Sequence, residues 1–405
     1  MSPTASLHSN TNTSPAQRPD SHQSWEIPTE PPSASAPVPQ PASAAPLPKY
    51  THFYTVSHLI FFSLLGTLAR LGLQALTFYP GAPVVTGVLW ANVTGSLVMG
   101  FLAEDKKLFR EEWGPKHSKE STIENGDRTK AHKAVKRTIP LYIGLTTGFC
   151  GCTTSFSSFI RDVFLALANA LPDPSLPGNS HIAPRNGGFS FMALVAVILL
   201  TVSLSLSALI FGAHLALALT PLTPTIPFSF TRRVLDRLVV VLAWGCWLGS
   251  IFLAIWPPDR HRGPDVWRGR AVFALVFAPL GCLFRFYVSL YLNGRVIPWF
   301  PLGTFVVNIF GTVVSGMCYD LQHVRGLGAV VPAALTGCQV LEGVMDGFCG
   351  SATTVSTWVA ELYGLARRRH AYLYGASSVG VALAFLVVIM GSLLWTRGFA
   401  EPVCV

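Results

Sequence analysis

Apolar runs of membrane-crossing length, separated by polar joints, fill the chain from residue 57 to residue 395. A hydrocarbon core of about 30 Å takes roughly 20 apolar residues as a helix. Nine runs meet or approach that length: 57–78, 84–103, 139–160, 190–211, 238–256, 271–292, 299–318, 334–358 and 372–395. The third and eighth are rich in Gly, Thr and Ser, which predicts helices broken part-way. Residues 104–138 and 171–189 read as polar loops, and 257–270 as a short charged connection. Residues 1–56 precede the first run and are dominated by Ser, Pro and Ala. Such a segment buries too little apolar surface to offset its ordering entropy, which predicts a disordered cytoplasmic tail. No signal peptide opens the chain, so the first run is expected to act as an uncleaved span.

Composition sharpens this picture. Of the 405 residues, 50% are hydrophobic and 12% charged, against roughly 25% charged in soluble domains. Mean hydropathy is +0.45. These values exclude a soluble enzyme, a disordered polymer and a nucleic-acid binder. The net charge of +9 sits between apolar runs rather than on one face. With a cytoplasmic N-terminus, 19 of the 29 Lys and Arg lie inside and 8 outside, while Arg70 and Arg285 fall within runs. This predicts an N-in, C-out topology; the Arg residues of 257–270 count against it. The eight Cys are scattered without zinc spacing and are expected to be small packing residues.

Self-comparison shows an internal repeat. Gly66-x3-Arg70 matches Gly281-x3-Arg285. Asn92-x2-Gly95-Ser96 matches Asn308-x2-Gly311-Thr312. The segment from Gly148 to Phe159 matches that from Gly347 to Trp358. Three motifs in one order define two halves of four runs each, 57–220 and 271–396, joined by a linker, 221–270, that carries the lone run 238–256. A short tail, 397–405, follows. Four runs return the chain to its starting side and the fifth moves it across, so the second half is expected to be inverted. Inverted repeats place a shared site near the midplane, built from broken helices.

The repeated residues carry the candidate chemistry. An Arg within a membrane is expensive; Arg70 and Arg285 read as functional charges or as supports for a neighbouring helix end. Asn92 and Asn308 offer neutral amide donors, suited to an anion, or an interhelical hydrogen bond. Gly151 and Gly350 permit unusual backbone angles at the breaks. Phe156 and Phe159 share one helical face, and an aromatic edge is electropositive.

Together these motifs resemble the Fluc/CrcB fluoride channel family, in its doubled eukaryotic fluoride-export form. The resemblance covers roughly 57–395 outside the long loops. It implies an all-α membrane protein in which one chain replaces an antiparallel dimer, as a single-chain pseudo-dimer in the lipid bilayer, with fluoride as the transported partner and no nucleic acid involved. It implies two pores between the halves, with Asn92, Asn308, Phe156, Phe159, Val355, Trp358, Thr304, Ser157 and Ser356 as pore positions. It further implies a structural sodium ion held by carbonyls at Gly151, Thr154, Gly350 and Thr353. The halves differ: Val355 and Trp358 stand where the first half has Phe156 and Phe159, and Val88 stands where the second has Thr304. If each pore draws its aromatics from both halves, one holds Phe156 and Trp358, and the other Phe159 and Val355. The expectation is that the first conducts.

Passive fluoride export at the plasma membrane follows from the resemblance. No G-x4-G-K-[ST] phosphate loop is present. A rival reading, proton-coupled fluoride transport, needs a titratable relay, for which Glu342 and Asp346 are candidates; their bland reading is a solvated helix end. An intramembrane enzyme would need motifs such as H-E-x-x-H or G-x-S-x-G, which the chain lacks. A non-transporting scaffold would leave the paired Asn and broken helices without a purpose.

Overall fold

A computed structural model describes residues 49–84, 86–109, 134–173, 175–176, 185–257, 271–324, 332–402 and 404. The expected tail up to residue 48, most of the loop 104–138 and nearly all of the connection 257–270 lie outside the described residues. Within them, regular structure is helical: α1 (Lys49–Thr77), α2 (Val88–Glu104), α3 (140–153), α4 (Phe156–Leu167), α5 (Gly187–Ala218), α6 (Phe228–Ile255), α7 (Phe273–Leu292), α8 (Leu302–His323), α9 (332–352), α10 (Ser356–Gly364) and α11 (Arg368–Arg397). Six of them, α1, α5, α6, α7, α8 and α11, are long and apolar enough to cross a membrane. Large side chains such as Leu199, Phe211, Val241, Phe252 and Val388 face outward from these helices. Outward apolar faces on uninterrupted helices satisfy the backbone internally and leave lipid as the solvent. The chain is a multi-pass integral membrane protein.

Helix α1 begins at Lys49, so residues 49–56, grouped with the tail on composition, are helical. There Thr55 and Ser57 hydroxyls donate to carbonyls one turn back, which lets polar residues continue a helix without exposed donors. The linker helix is also longer than its apolar run: a π-helical turn, Thr231–Leu235, precedes it. Helix α6 is tied to α1 by a buried contact, His58 Nε2 to Asp236 Oδ1 at 3.4 Å, and by Trp244 Nε1 donating to Ser57 Oγ at 3.2 Å.

Helix α2 packs along α5, and α8 along α11. The short helices after the breaks cross over: α4 packs on α8 and α11 as well as on α5, and α10 packs on α2 and α5 as well as on α11. The main core therefore draws on both ends of the chain, with Phe156, Phe159 and Phe164 against Val355, Trp358, Tyr374 and Leu386.

Two cysteines depart from the expected packing role. Cys338 and Cys404 form a disulfide, Cα–Cα 5.7 Å, joining α9 to the C-terminal segment. That segment is also held by Ala400 N donating to His323 O at 2.9 Å and by the Phe399 ring against Tyr319 at 5.3 Å. The sequence spacing gave no sign of it, because α8, α9 and α11 bring the two residues together only in space.

Candidate functional site

Each broken segment runs the same course. Helix α3 winds into a π-helical stretch, Gly144–Cys150, and α9 into Val344–Cys349. Each then breaks. Thr154 (φ −92°, ψ 147°) and Thr353 (φ −91°, ψ 155°) are extended. This corrects the expected place of the break. Gly151 (φ −67°, ψ −31°) and Gly350 (φ −62°, ψ −28°) are ordinary right-handed helix. Their glycine character serves close approach instead: a Cβ on Gly151 would collide with the Arg285 guanidinium, and one on Gly350 with that of Arg70. Likewise, a Cβ on Gly95 or Gly311 would lie 2.5 Å from the Cγ2 of Thr154 or Thr353.

The two asparagines hold the breaks open. Asn92 Oδ1 accepts Ser155 N at 2.8 Å, and Asn308 Oδ1 accepts Thr354 N at 2.9 Å. Each Nδ2 reaches the carbonyl of the same residue, at 3.5 Å for Ser155 and 3.3 Å for Thr354. Asn92 and Asn308 are fully buried, so each carboxamide replaces helical partners that the break removes.

Beyond each break the helix start is capped from the opposite half. Thr353 Oγ1 accepts Phe156 N at 3.1 Å and Ser157 N at 3.0 Å, capping α4. Thr154 Oγ1 accepts Val355 N at 3.2 Å and Ser356 N at 3.1 Å, capping α10. Ser157 Oγ accepts Thr353 Oγ1 at 3.1 Å, and Ser356 Oγ lies 3.1 Å from Thr154 Oγ1. The two threonines thus exchange caps at the centre of the molecule.

The arginines cross in the same manner. Arg70 Nη2 donates to Asp346 O, and Arg285 Nη2 donates to Thr147 O, the latter at 2.6 Å. Both residues are buried. Nε and Nη1 of each have no hydrogen-bond partner among the described residues. Each guanidinium therefore supports the π-helical stretch of the other half by holding a carbonyl. Asp346 is packed inside rather than lying on a solvated helix end, and Glu342 Oε2 accepts Gln322 Nε2 at 3.1 Å.

The carbonyls at the breaks lose their usual partners. The amides four residues on from Gly151 and Thr154 donate to Asn92 and to Ser155 Oγ; those four on from Gly350 and Thr353 donate to Asn308 and to Thr354 Oγ1. Gly151 O keeps a long 3.5 Å contact from Thr154 Oγ1. These neutral oxygens fit a hard cation, which takes carbonyl ligands.

The aromatic positions meet across the halves. Phe156 and Trp358 are edge to face, ring centroids 5.3 Å apart, and Phe156 and Phe159 are 5.7 Å apart at 79°. Val355 is fully buried in the same cluster and brings no ring. Thr304 lies one turn before Asn308 and donates to Glu361 Oε1 at 2.7 Å; Tyr374 Oη donates to Glu361 Oε2, also at 2.7 Å. Sequence reasoning missed Glu361 and Tyr374. A signal for Glu361 was present: it stands three residues after Trp358, as Asp162 stands three after Phe159.

Helix breaks buried within a shell of long apolar helices, one in each half of the chain, define a multi-pass membrane protein. The family described as "CrcB-like protein, Camphor Resistance (CrcB)" matches residues 58–213 and again 272–392, and the chain belongs to that family. It is 58% identical over 375 residues to Fluoride export protein 1 of Neurospora crassa, covering 88% of this chain and 69% of the relative. It is 35% identical over 356 residues to Fluoride export protein 1 of Candida albicans, covering 86% and 82%. A shorter match, 34% over 94 residues, links it to the Fluoride-specific ion channel FluC of Geotalea daltonii, covering 23% and 69%. No solved structure matches.

Proposed function

We propose that this protein exports fluoride from the cytoplasm as a passive, selective channel and thereby confers fluoride resistance. The observation that carries the reading is the pair of crossed helix breaks, each lined by neutral hydroxyl, amide and ring groups. A conducting site must hold the ion well enough to replace water and weakly enough to release it; neutral donors meet both needs. The names of the relatives supply the ion. An anion leaving a negative interior gains about 2.3 kcal/mol per charge per 100 mV, so no fuel is required.

In this reading, nine spans form two inverted four-span repeats around linker helix α6, with the N-terminus cytoplasmic, the C-terminus outside and the protein in the plasma membrane. The Cys338–Cys404 disulfide supports a C-terminus on the outer, oxidising side. The break carbonyls at Gly151, Thr154, Gly350 and Thr353 would hold sodium, which supplies a fixed positive charge and neutral oxygen bonding there when bound. Of the two pathways, the one lined by Phe156 and Trp358 conducts, with Thr304 on its wall; the Phe159–Val355 pathway has Val88 at the matching place. Asn92, Asn308, Ser157 and Ser356 shape both.

Fluoride efflux from liposomes holding the purified protein, driven by a valinomycin potential with chloride as control, tests this. Electrogenic fluoride efflux without chloride flux is expected; a well-folded sample that passes no fluoride overturns the reading. The buried carboxylate Glu361 favours a second reading, proton-coupled transport. Efflux independent of the imposed proton gradient, and persisting in E361Q, decides for the channel.

A further inference from the structure

We propose that the Trp358 indole N–H is a hydrogen-bond donor to fluoride in the Phe156–Trp358 pathway. The proposal rests on the fluoride reading above and deepens it. Trp358 is 1% exposed, and its Nε1 has no hydrogen-bond partner among the described residues. A buried indole N–H normally finds one. The Phe156 ring packs against the indole edge to face at 69°.

The neighbouring donors are already committed. Thr304 and Tyr374 give their protons to Glu361. The Asn308 amide contacts Thr354 O. The Thr154 hydroxyl donates to Cys150 O, and the Thr353 hydroxyl to Cys349 O and Ser157 Oγ. The indole N–H is a strong neutral donor without a partner, among the described residues, beside the ring pair. Fluoride is a compact anion and a strong acceptor, and an uncharged N–H can replace one of its waters without binding it as a guanidinium would. The first half has Phe159 at the matching position and lacks this donor. The two pathways would then differ in hydrogen bonding as well as in ring number.

The test uses the full-length protein in detergent micelles with 15N-labelled tryptophan. The chain has ten tryptophans, and the Trp358 signal is assigned by its loss in W358F. Sodium fluoride, but not sodium chloride, is expected to move that indole proton downfield. In liposomes, W358F keeps a ring and loses the donor, and is expected to slow fluoride efflux about tenfold or more, the scale of one hydrogen bond to an ion. Replacing Trp358 by benzothienylalanine, which has the same shape with sulfur for N–H, is expected to slow it equally and separates the donor from packing. A Trp358 signal unmoved by fluoride while the wild type conducts overturns the proposal and leaves the channel reading standing. So does wild-type efflux from both variants. A wild type that conducts no fluoride overturns both.

Discussion

At the scale of single residues, the two halves carry the same motifs with unequal side chains, and the inequality is measurable. F156A removes a ring from the pathway assigned as conducting and is expected to slow fluoride efflux at least tenfold. F159A touches the other pathway and is expected to leave most of it. Equal loss in both, or loss confined to F159A, would overturn the assignment. Glycine gives a second case. G350A drives a methyl group into the Arg70 guanidinium and is expected to cost about 1–3 kcal/mol, the scale of overpacking a filled core. A lowered melting temperature in detergent checks it, and G245A, where a Cβ meets nothing, is the control. Much at this scale was legible in the sequence: the paired Gly, Arg and Asn stand out because they recur, and the family resemblance implied a pathway shared by Phe156 and Trp358, whose rings are in contact. The role of Gly350 was not. Composition suggests backbone freedom for any glycine, whereas the close approach of an arginine 280 residues away (Arg70 to Gly350) exists only in the fold.

At the scale of elements, the unit is a helix that stops at a threonine and restarts under a cap from elsewhere. The Gly, Thr and Ser content of 148–159 and 347–358 predicted breaks, and breaks are found. Their position one turn later, and the exchange of caps, depend on contacts between segments that share no local signal. T353V removes the acceptor for Phe156 N and Ser157 N, and is expected to lower stability by about 1 kcal/mol, typical of a lost N-cap. T154V is expected to do the same for α10. Because T353V frays a helix in the other half, proteolysis or hydrogen exchange should report α4 as the loosened element. Protection lost only near residue 353 would show that the cap is dispensable.

At the scale of the whole molecule, the topology rests on parity. In the proposed topology, four spans, one linker and four more would put the chain ends on opposite sides, with the Lys and Arg count assigning the sides. Helix α6 was legible as an unpaired run, while its buried tie, His58 to Asp236, was not, since neither residue lies in a repeated motif. The disulfide was likewise hidden: 66 residues separate its cysteines. An impermeant maleimide added to intact cells after mild reduction is expected to label Cys338 and Cys404. Labelling only after permeabilisation would reverse the proposed topology.

The exchanged caps also set a clock on biogenesis. The hydroxyl that completes the start of α4 lies 197 residues downstream of Phe156. At a synthesis rate of about 5–20 residues per second, α4 would wait on the order of 10–40 s in the membrane before its partner is made. During that interval the nascent first half holds its buried arginine and open helix end without their counterparts. A chain cut after the linker would leave them so permanently, which makes the first half alone a natural substrate for membrane quality control.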